Sequence, residues 1–243
     1  MSNLRTLAVT LSLAIVAAGS SFAGEDEAVF VADGIPVRFV ERITNRYFPL
    51  IPGTKFFYDG FDGRDSAGDV MFVTYNTKKI LGVTCTVVRD QAFANGVLTE
   101  QTLDWYAQDT AGNVWYFGED SKDFDAEGNV VSTHGSWIAG VDNARPGIIM
   151  KAHPEPGDLY HQEFAPGVAE DAAKVHSIRP GCVPVGCFQE LLAINEFTRL
   201  SPDVLDRKFY APNIGFVVGQ SLRGGEEYLA LVRVTTVPPP GEP

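Results

Sequence analysis

Within short runs of this chain, hydrophobic residues recur at about every second position, and Gly, Asn, Asp and Pro separate the runs. A period of two marks strands, because successive side chains on a strand point to opposite faces. Residues 70–75 are β-branched and aromatic, and 80–94 continue in that style with Gly82 as a bend. Asn95-Gly96 is the two-residue turn of a tight hairpin, so 97–107 is expected to return antiparallel. Residues 109–113 and 125–129 carry turn chemistry, with strand-like 114–117 between them. Gly and Pro make 140–157 an irregular connection, and 159–164 reads as a strand. Residues 168–178 are ambiguous: Ala, Glu and Lys favour helix at the start, while 175–178 favour strand. Strands follow at 188–199, 204–210, 216–222 and 226–237. The pattern predicts an all-β or mainly β fold. Its architecture is an antiparallel curved sheet forming a half-barrel or barrel, with at most a little helix at 168–174.

The N-terminus breaks this pattern. Arg5, an apolar run over 7–18 and Ser21-Phe22-Ala23 compose a secretory leader spanning 1–23. An apolar N-terminal helix kept in the fold is the other reading, but acidic residues at 25–27 end the run abruptly. No Cys follows it, and no second apolar stretch approaches spanning length, so the chain is not expected to cross a membrane. What remains is one β-rich domain at 24–237 and a disordered Pro-rich tail at 238–243, in a periplasmic or secreted setting. A net charge of −12 argues against nucleic acid as a partner and suits a soluble exported protein or one that holds cations.

An oxidising compartment changes the reading of the three Cys. Cys182 and Cys187 bracket a turn-like Val-Pro-Val-Gly and are expected to form a disulfide, leaving Cys85 a buried free thiol. A metal pair lacks a second Cys/His pair at ligand spacing. No nucleophile elbow, metalloprotease helix, phosphate loop or dinucleotide fingerprint is present. Asp123-Phe124-Asp125-Ala126-Glu127-Gly128 imitates the start of a calcium loop, but His134 stands where a bidentate Glu is required. Asp59, Asp62, Asp65 and Asp69 recur among glycines at spacings of three and four, unlike a calcium loop, and read as a solvated loop, with loose cation binding the alternative. His134, His153, His161 and His176 never pair at zinc spacing.

Tyr47-Phe48-Pro49-Leu50-Ile51-Pro52-Gly53-Thr54 is followed by Asp104-Trp105-Tyr106-Ala107-Gln108-Asp109 and by the 112–119 stretch with Trp115. Gly135-Ser136-Trp137, Gln162-Glu163-Phe164 and Ala169-Glu170-Asp171 complete the set. On these phrases, residues 45–220 resemble a family of exported bacterial β-rich proteins that carries no assigned activity. The sheet style is also similar to lipoprotein-carrier folds, an analogy of fold alone.

Candidate chemistry sits inside those phrases. Glu119, Asp120, Glu163, Glu170 and Asp171 are carboxylates beside aromatics, and Glu119, Glu163, Glu170 and Asp171 are expected to converge. Such a group can gather a hard cation, with calcium the candidate. It can also split into acid and base roles, with Glu163, Glu170, Asp171 and His161 the catalytic candidates. Trp105, Trp115 and Trp137, with Glu119, are candidates to line a ligand site. His161 and Glu163 would share a face of an extended strand. The plainer alternative pairs the acids with Arg89, Lys122, Arg145 or Lys174. Three functions therefore stay open. One is an exported β-protein binding a divalent cation or a small or apolar ligand. Another is a carboxylate-based hydrolase or lyase acting on a sugar-like or polyol substrate. The third is a structural secreted protein.

Overall fold

The structure, a computed structural model, describes residues 29–32 and 35–241. The predicted leader and the last two residues of the tail lie outside the described residues. Every regular element among the described residues is a strand. In chain order these are β1 (Val29–Ala32), β2 (Ile35–Val40), β3 (Ile43–Asn45), β4 (Phe48–Leu50), β5 (Thr54–Asp62), β6 (Asp65–Ile80), β7 (Val83–Ala94), β8 (Val97–Asp109) and β9 (Val114–Phe124). Then come β10 (Val130–Ser132), β11 (Trp137–Ile138), β12 (Arg145–Met150), β13 (Leu159–His161), β14 (Glu163–Phe164), β15 (Asp171–Val183), β16 (Gly186–Thr198), β17 (Leu205–Ala211), β18 (Gly215–Arg223) and β19 (Glu227–Thr236).

Two antiparallel meanders form the wall: β5 to β9, and β15 to β19. Along one seam β19 pairs with β5, from Glu227 opposite Asp62 to Thr236 opposite Thr54. Along the other, β9 pairs with β12, β12 with β14, and β13 with β15. The pairing thus runs round into a twelve-stranded antiparallel barrel, taking β13 and β14 as one broken strand. The β7–β8 hairpin turns at Asn95-Gly96, both in the left-handed region (φ 51° and 79°), as a two-residue turn of matching twist requires.

The β3–β4 hairpin stands apart from the wall and stops one end of the barrel. Ile43, Tyr47, Phe48 and Leu50 are buried there. Phe48 lies edge-on to Tyr106 and beside Tyr210, with ring centroids 5.4 and 6.3 Å away. Tyr106 stacks on Tyr116 at 4.7 Å, and Phe216 packs on Tyr58 and Tyr210. These rings make an apolar floor across the barrel. Asn45 fastens the plug. Its Nδ2 donates to the carbonyls of Gly112 (2.8 Å) and Lys151 (3.0 Å), and its Oδ1 accepts from the amides of Tyr47 and Phe48.

Three expectations need correction. Residues 168–174 hold no helix: a turn at Pro166–Val168 leads into β15, whose Ala172 and Ala173 pair with both β13 and β16. Strand pairing on two sides outweighs the modest helix propensity of Ala, Glu and Lys. The 140–157 connection contains β12, which closes the second seam. Asp59, Asp62, Asp65 and Asp69 belong to the long β5–β6 hairpin rather than to a loop. Cys182 and Cys187 are cross-strand partners and are bridged, and Cys85 is free and buried.

Asn45→Ala removes four hydrogen bonds at a buried site and strands two carbonyls. It should cost about 3 kcal/mol in denaturant unfolding. Cys182→Ser with Cys187→Ser opens a bridge between residues only five apart, and should cost about 2 kcal/mol under the same assay.

Candidate functional site

Above the aromatic floor, side chains facing inward from alternate strand positions enclose a lumen of about 500 Å³. Its lining is acidic from every side. Asp69 comes from β6 and Asp90 from β7. Glu100 and Asp104 come from β8, and Glu119 from β9. Opposite them stand Glu163 of β14 and Asp171 of β15. Glu196, Asp206 and Glu227 complete the ring from β16, β17 and β19. The one basic residue in this lining is Lys208, whose Nζ lies 2.7 Å from Glu196 Oε2. Lys208 is enclosed by the barrel, yet its side chain is 40% exposed, so the lumen is open to water.

Gathering so many carboxyls raises their proton affinity. Burial, reinforced by the neighbouring Asp90, pushes Asp69 up to about 10. Asp90 is itself raised by burial. Burial and then Asp171 push Glu163 up to about 9, and Asp171 is raised by burial as well. Glu119 is pushed up to about 7, chiefly by burial. Asp104 is held well above the usual carboxylate range by burial, with Asp90 and Glu119 adding to it, although Tyr116 donates a 2.6 Å hydrogen bond to its Oδ1. Lys208 moves the other way from an ordinary buried amine. Burial alone would lower it, but Glu196 and the acids around it raise it.

The structure brings Glu119, Glu163 and Asp171 together in the lumen and leaves Glu170 outside. Glu170 precedes Asp171, so it points the opposite way, where it pairs with Arg199 and accepts from the amide of Gly167. Arg199 and that amide hold its carboxyl below the usual range. His161 and Glu163 do not share a face either. The chain bends at Gln162, sending Gln162 and Glu163 inward and His161 out beside Phe164 and Glu170.

Of the tryptophans, Trp137 backs the lumen and donates from Nε1 to Glu163 Oε2 at 2.8 Å. Trp105 faces outward under Lys78, whose Nζ lies 3.3 Å from the ring centroid. With Asp120, Trp137 and Glu119 they line a separate groove of about 380 Å³ on the outer side of the wall. Trp115 is tied to Asp109 by a 2.8 Å bond from its indole nitrogen, away from the lumen. Glu119 borders both spaces. Among the described residues, no three His, Cys, Asp or Glu side chains come together in a group able to hold a metal ion. No helix among them is long and apolar enough to cross a membrane.

Sequence reasoning placed Asp69 in a solvated loop and passed over Asp90, Glu100, Asp104, Glu196, Asp206, Lys208 and Glu227. A signal was there: Glu100, Thr102, Asp104 and Tyr106 alternate along β8, as Asp206, Lys208 and Tyr210 do along β17.

No family model and no curated protein matches the chain. Among solved structures, it is similar to a candidate exported protein with a YmcC-like fold from Bacteroides fragilis. Identity is 15%, the alignment covers 79% of this chain and 100% of that one, and the TM-score is 0.47. It is also similar to a candidate lipoprotein from Parabacteroides distasonis, at 11% identity over 79% of this chain and 99% of that one, with a TM-score of 0.42.

The raised carboxyls set a pH dependence. Between its unfolded and folded pKa values, such a group is protonated only in the native state, so stability falls as pH rises. Stability should be greatest near the unfolded carboxyl range, about pH 4. It should fall from there upward, most steeply below about pH 7, where Glu119 ionises in the native state, and more gently towards about pH 9, where Glu163 does and its contribution to the decline ends. Melting temperatures across pH 4 to 9 check this, and Glu163→Gln should flatten the upper part of the curve.

Proposed function

We propose that this chain is an exported binding protein that takes up a small cation in the acidic lumen of its barrel. The observation that carries this is the imbalance of charge: ten carboxyls line the space, and its one ammonium is already engaged with Glu196. Without a cation, burial first and mutual repulsion second have to be relieved by protons, and Asp69 and Glu163 are raised on both counts. A bound cation does the same work while leaving the carboxylates ionised. The volume suits a small ligand, and the aromatic floor with the β3–β4 plug beneath it gives the pocket a closed base.

A second reading, a carboxylate-based hydrolase, draws on Glu119 near 7 beside Glu163 near 9, a spread that suits acid and base roles. The cation reading accounts for carboxyls spread over nine strands of the wall, whereas acid–base catalysis needs two.

Melting curves at neutral pH and constant ionic strength, across a panel of inorganic and organic cations, test the proposal. A ligand at a hundred times its dissociation constant adds about 2.7 kcal/mol, or roughly 5–10 °C for a domain of this size. Glu163→Gln should melt higher than wild type without ligand, because the wild-type carboxyl must take up a proton to fold at neutral pH and the amide need not, and should gain less from the ligand. If no cation shifts wild type, the proposal fails. Turnover of aryl glycosides that Glu163→Gln abolishes would favour the hydrolase instead.

A further inference from the structure

The lumen's charge calls for a cation, and its geometry narrows the kind. Four of the lumen's carboxyls stand as two neighbouring pairs: Asp69 beside Asp90 across the β6–β7 ladder, and Glu163 beside Asp171, where the amide of Gln162 donates to the Asp171 carbonyl. Asp69 and Asp90 project from neighbouring β6 and β7, and Glu163 and Asp171 from β14 and β15. Going round the ring, β8, β9 and β12 separate the pairs on one side, and β16, β17, β18, β19 and β5 on the other. The pairs therefore stand on roughly opposed walls. Strands about 4.8 Å apart and tilted by about 40° put opposed backbones of such a ring on the order of 20 Å apart. One metal ion, whose oxygen ligands lie at about 2–2.6 Å, does not join groups so placed, and no metal-holding group forms among the described residues.

Two further observations point to an organic ligand. Asp69 Oδ1 and Asp90 Oδ1 are buried without a hydrogen-bond partner, so the barrel leaves acceptor capacity unused at this end of the lumen, which a donor reaching the pair would satisfy. Ile149, Phe216 and Leu229 also line the lumen, giving it apolar surface that a hydrated metal ion would not use. The chain already places one alkylammonium here in Lys208, its head on Glu196 and its Nζ 5.9 Å from the centroid of the Phe216 ring.

We propose that the lumen binds an extended organic polyamine, with one terminal ammonium on the Asp69–Asp90 pair, the other on the Glu163–Asp171 pair, and the methylenes between them against Phe216, Leu229 and Ile149. This rests on the reading of the lumen as a cation site and names the class of cation. At the Asp69–Asp90 pair the ammonium supplies donors that both Oδ1 atoms lack; at the Glu163–Asp171 pair, where Trp137 already donates to Glu163, it supplies positive charge. The alkyl chain covers apolar wall, and two opposed anchors select for length as well as charge.

Isothermal titration calorimetry on the oxidised exported protein, at neutral pH in physiological salt, tests this with spermidine, propylamine and calcium. Spermidine should bind with one molecule per barrel, at least about tenfold tighter than propylamine, which carries one ammonium. Asp69→Asn with Asp90→Asn, and separately Glu163→Gln with Asp171→Asn, should each weaken spermidine at least about tenfold. Glu127→Gln with Glu155→Gln, on the exposed surface, should leave it unchanged and so report any general attraction to an acidic protein. Spermidine no tighter than propylamine, or a surface variant as damaging as the lumen variants, overturns the polyamine proposal. Calcium binding that the lumen variants abolish, without spermidine binding, overturns it while leaving the cation reading in place. No binding by any of the three removes both.

Discussion

Like charges held in one enclosed space set the terms for everything else in this protein. A carboxylate taken out of water must find a counter-charge, hydrogen-bond donors or a proton. The barrel supplies few of the first: Lys208 serves Glu196 from close by and Asp171 and Asp206 from farther off. It supplies some of the second, through Tyr116 to Asp104 and Trp137 to Glu163. Protons cover part of the remainder, at Asp69 and Glu163, where burial and a neighbouring carboxyl raise the proton affinity. A fold built only for stability would place apolar side chains there, as it does below the lumen, where Tyr58, Tyr106, Tyr116, Tyr210 and Phe216 meet the β3–β4 plug. The same barrel thus has an apolar half that holds it together and an acidic half that works against folding. That division is the usual mark of a site retained for binding.

The outer wall follows a different logic. There the aromatic rings are covered by long cationic side chains. Lys78 lies over Trp105, Arg233 over Phe57 and Arg145 over Phe164. Basic residues shield apolar surface on the outside, and acidic residues face the water inside. The net charge of −12 therefore describes the average of two unlike surfaces.

The fold was legible because its signals are local. Asn95-Gly96 specifies a hairpin from two residues, and Cys182 and Cys187 face each other across a turn that separates them by five positions. The site was legible only in part. Glu119, Glu163 and Asp171 were marked by neighbouring aromatics, but Glu170 was marked in the same way and points outward. Adjacent residues on a strand cannot share a face, and that objection was hidden while 168–174 could still be helix. Asp104 and Lys208 show the deeper difficulty. A polar residue at every second position reads the same whether its face meets bulk solvent or the inside of a barrel. The distinction belongs to ring closure, which depends on pairings such as β12 with β14 that involve two residues on each strand. Nothing within a single strand of sequence encodes it.

The seam between β19 and β5 has a consequence for how the molecule comes into being. Its partners, Thr54–Asp62 and Glu227–Thr236, lie near opposite ends of the chain, and no wall is complete until they meet. Bringing them together closes a loop that contains nearly every other strand, so the seam carries a large loop-closure entropy and gives the topology a high contact order, the kind that folds slowly. Until that seam forms, the edges of β5 and β19 stay open to pairing with other strands.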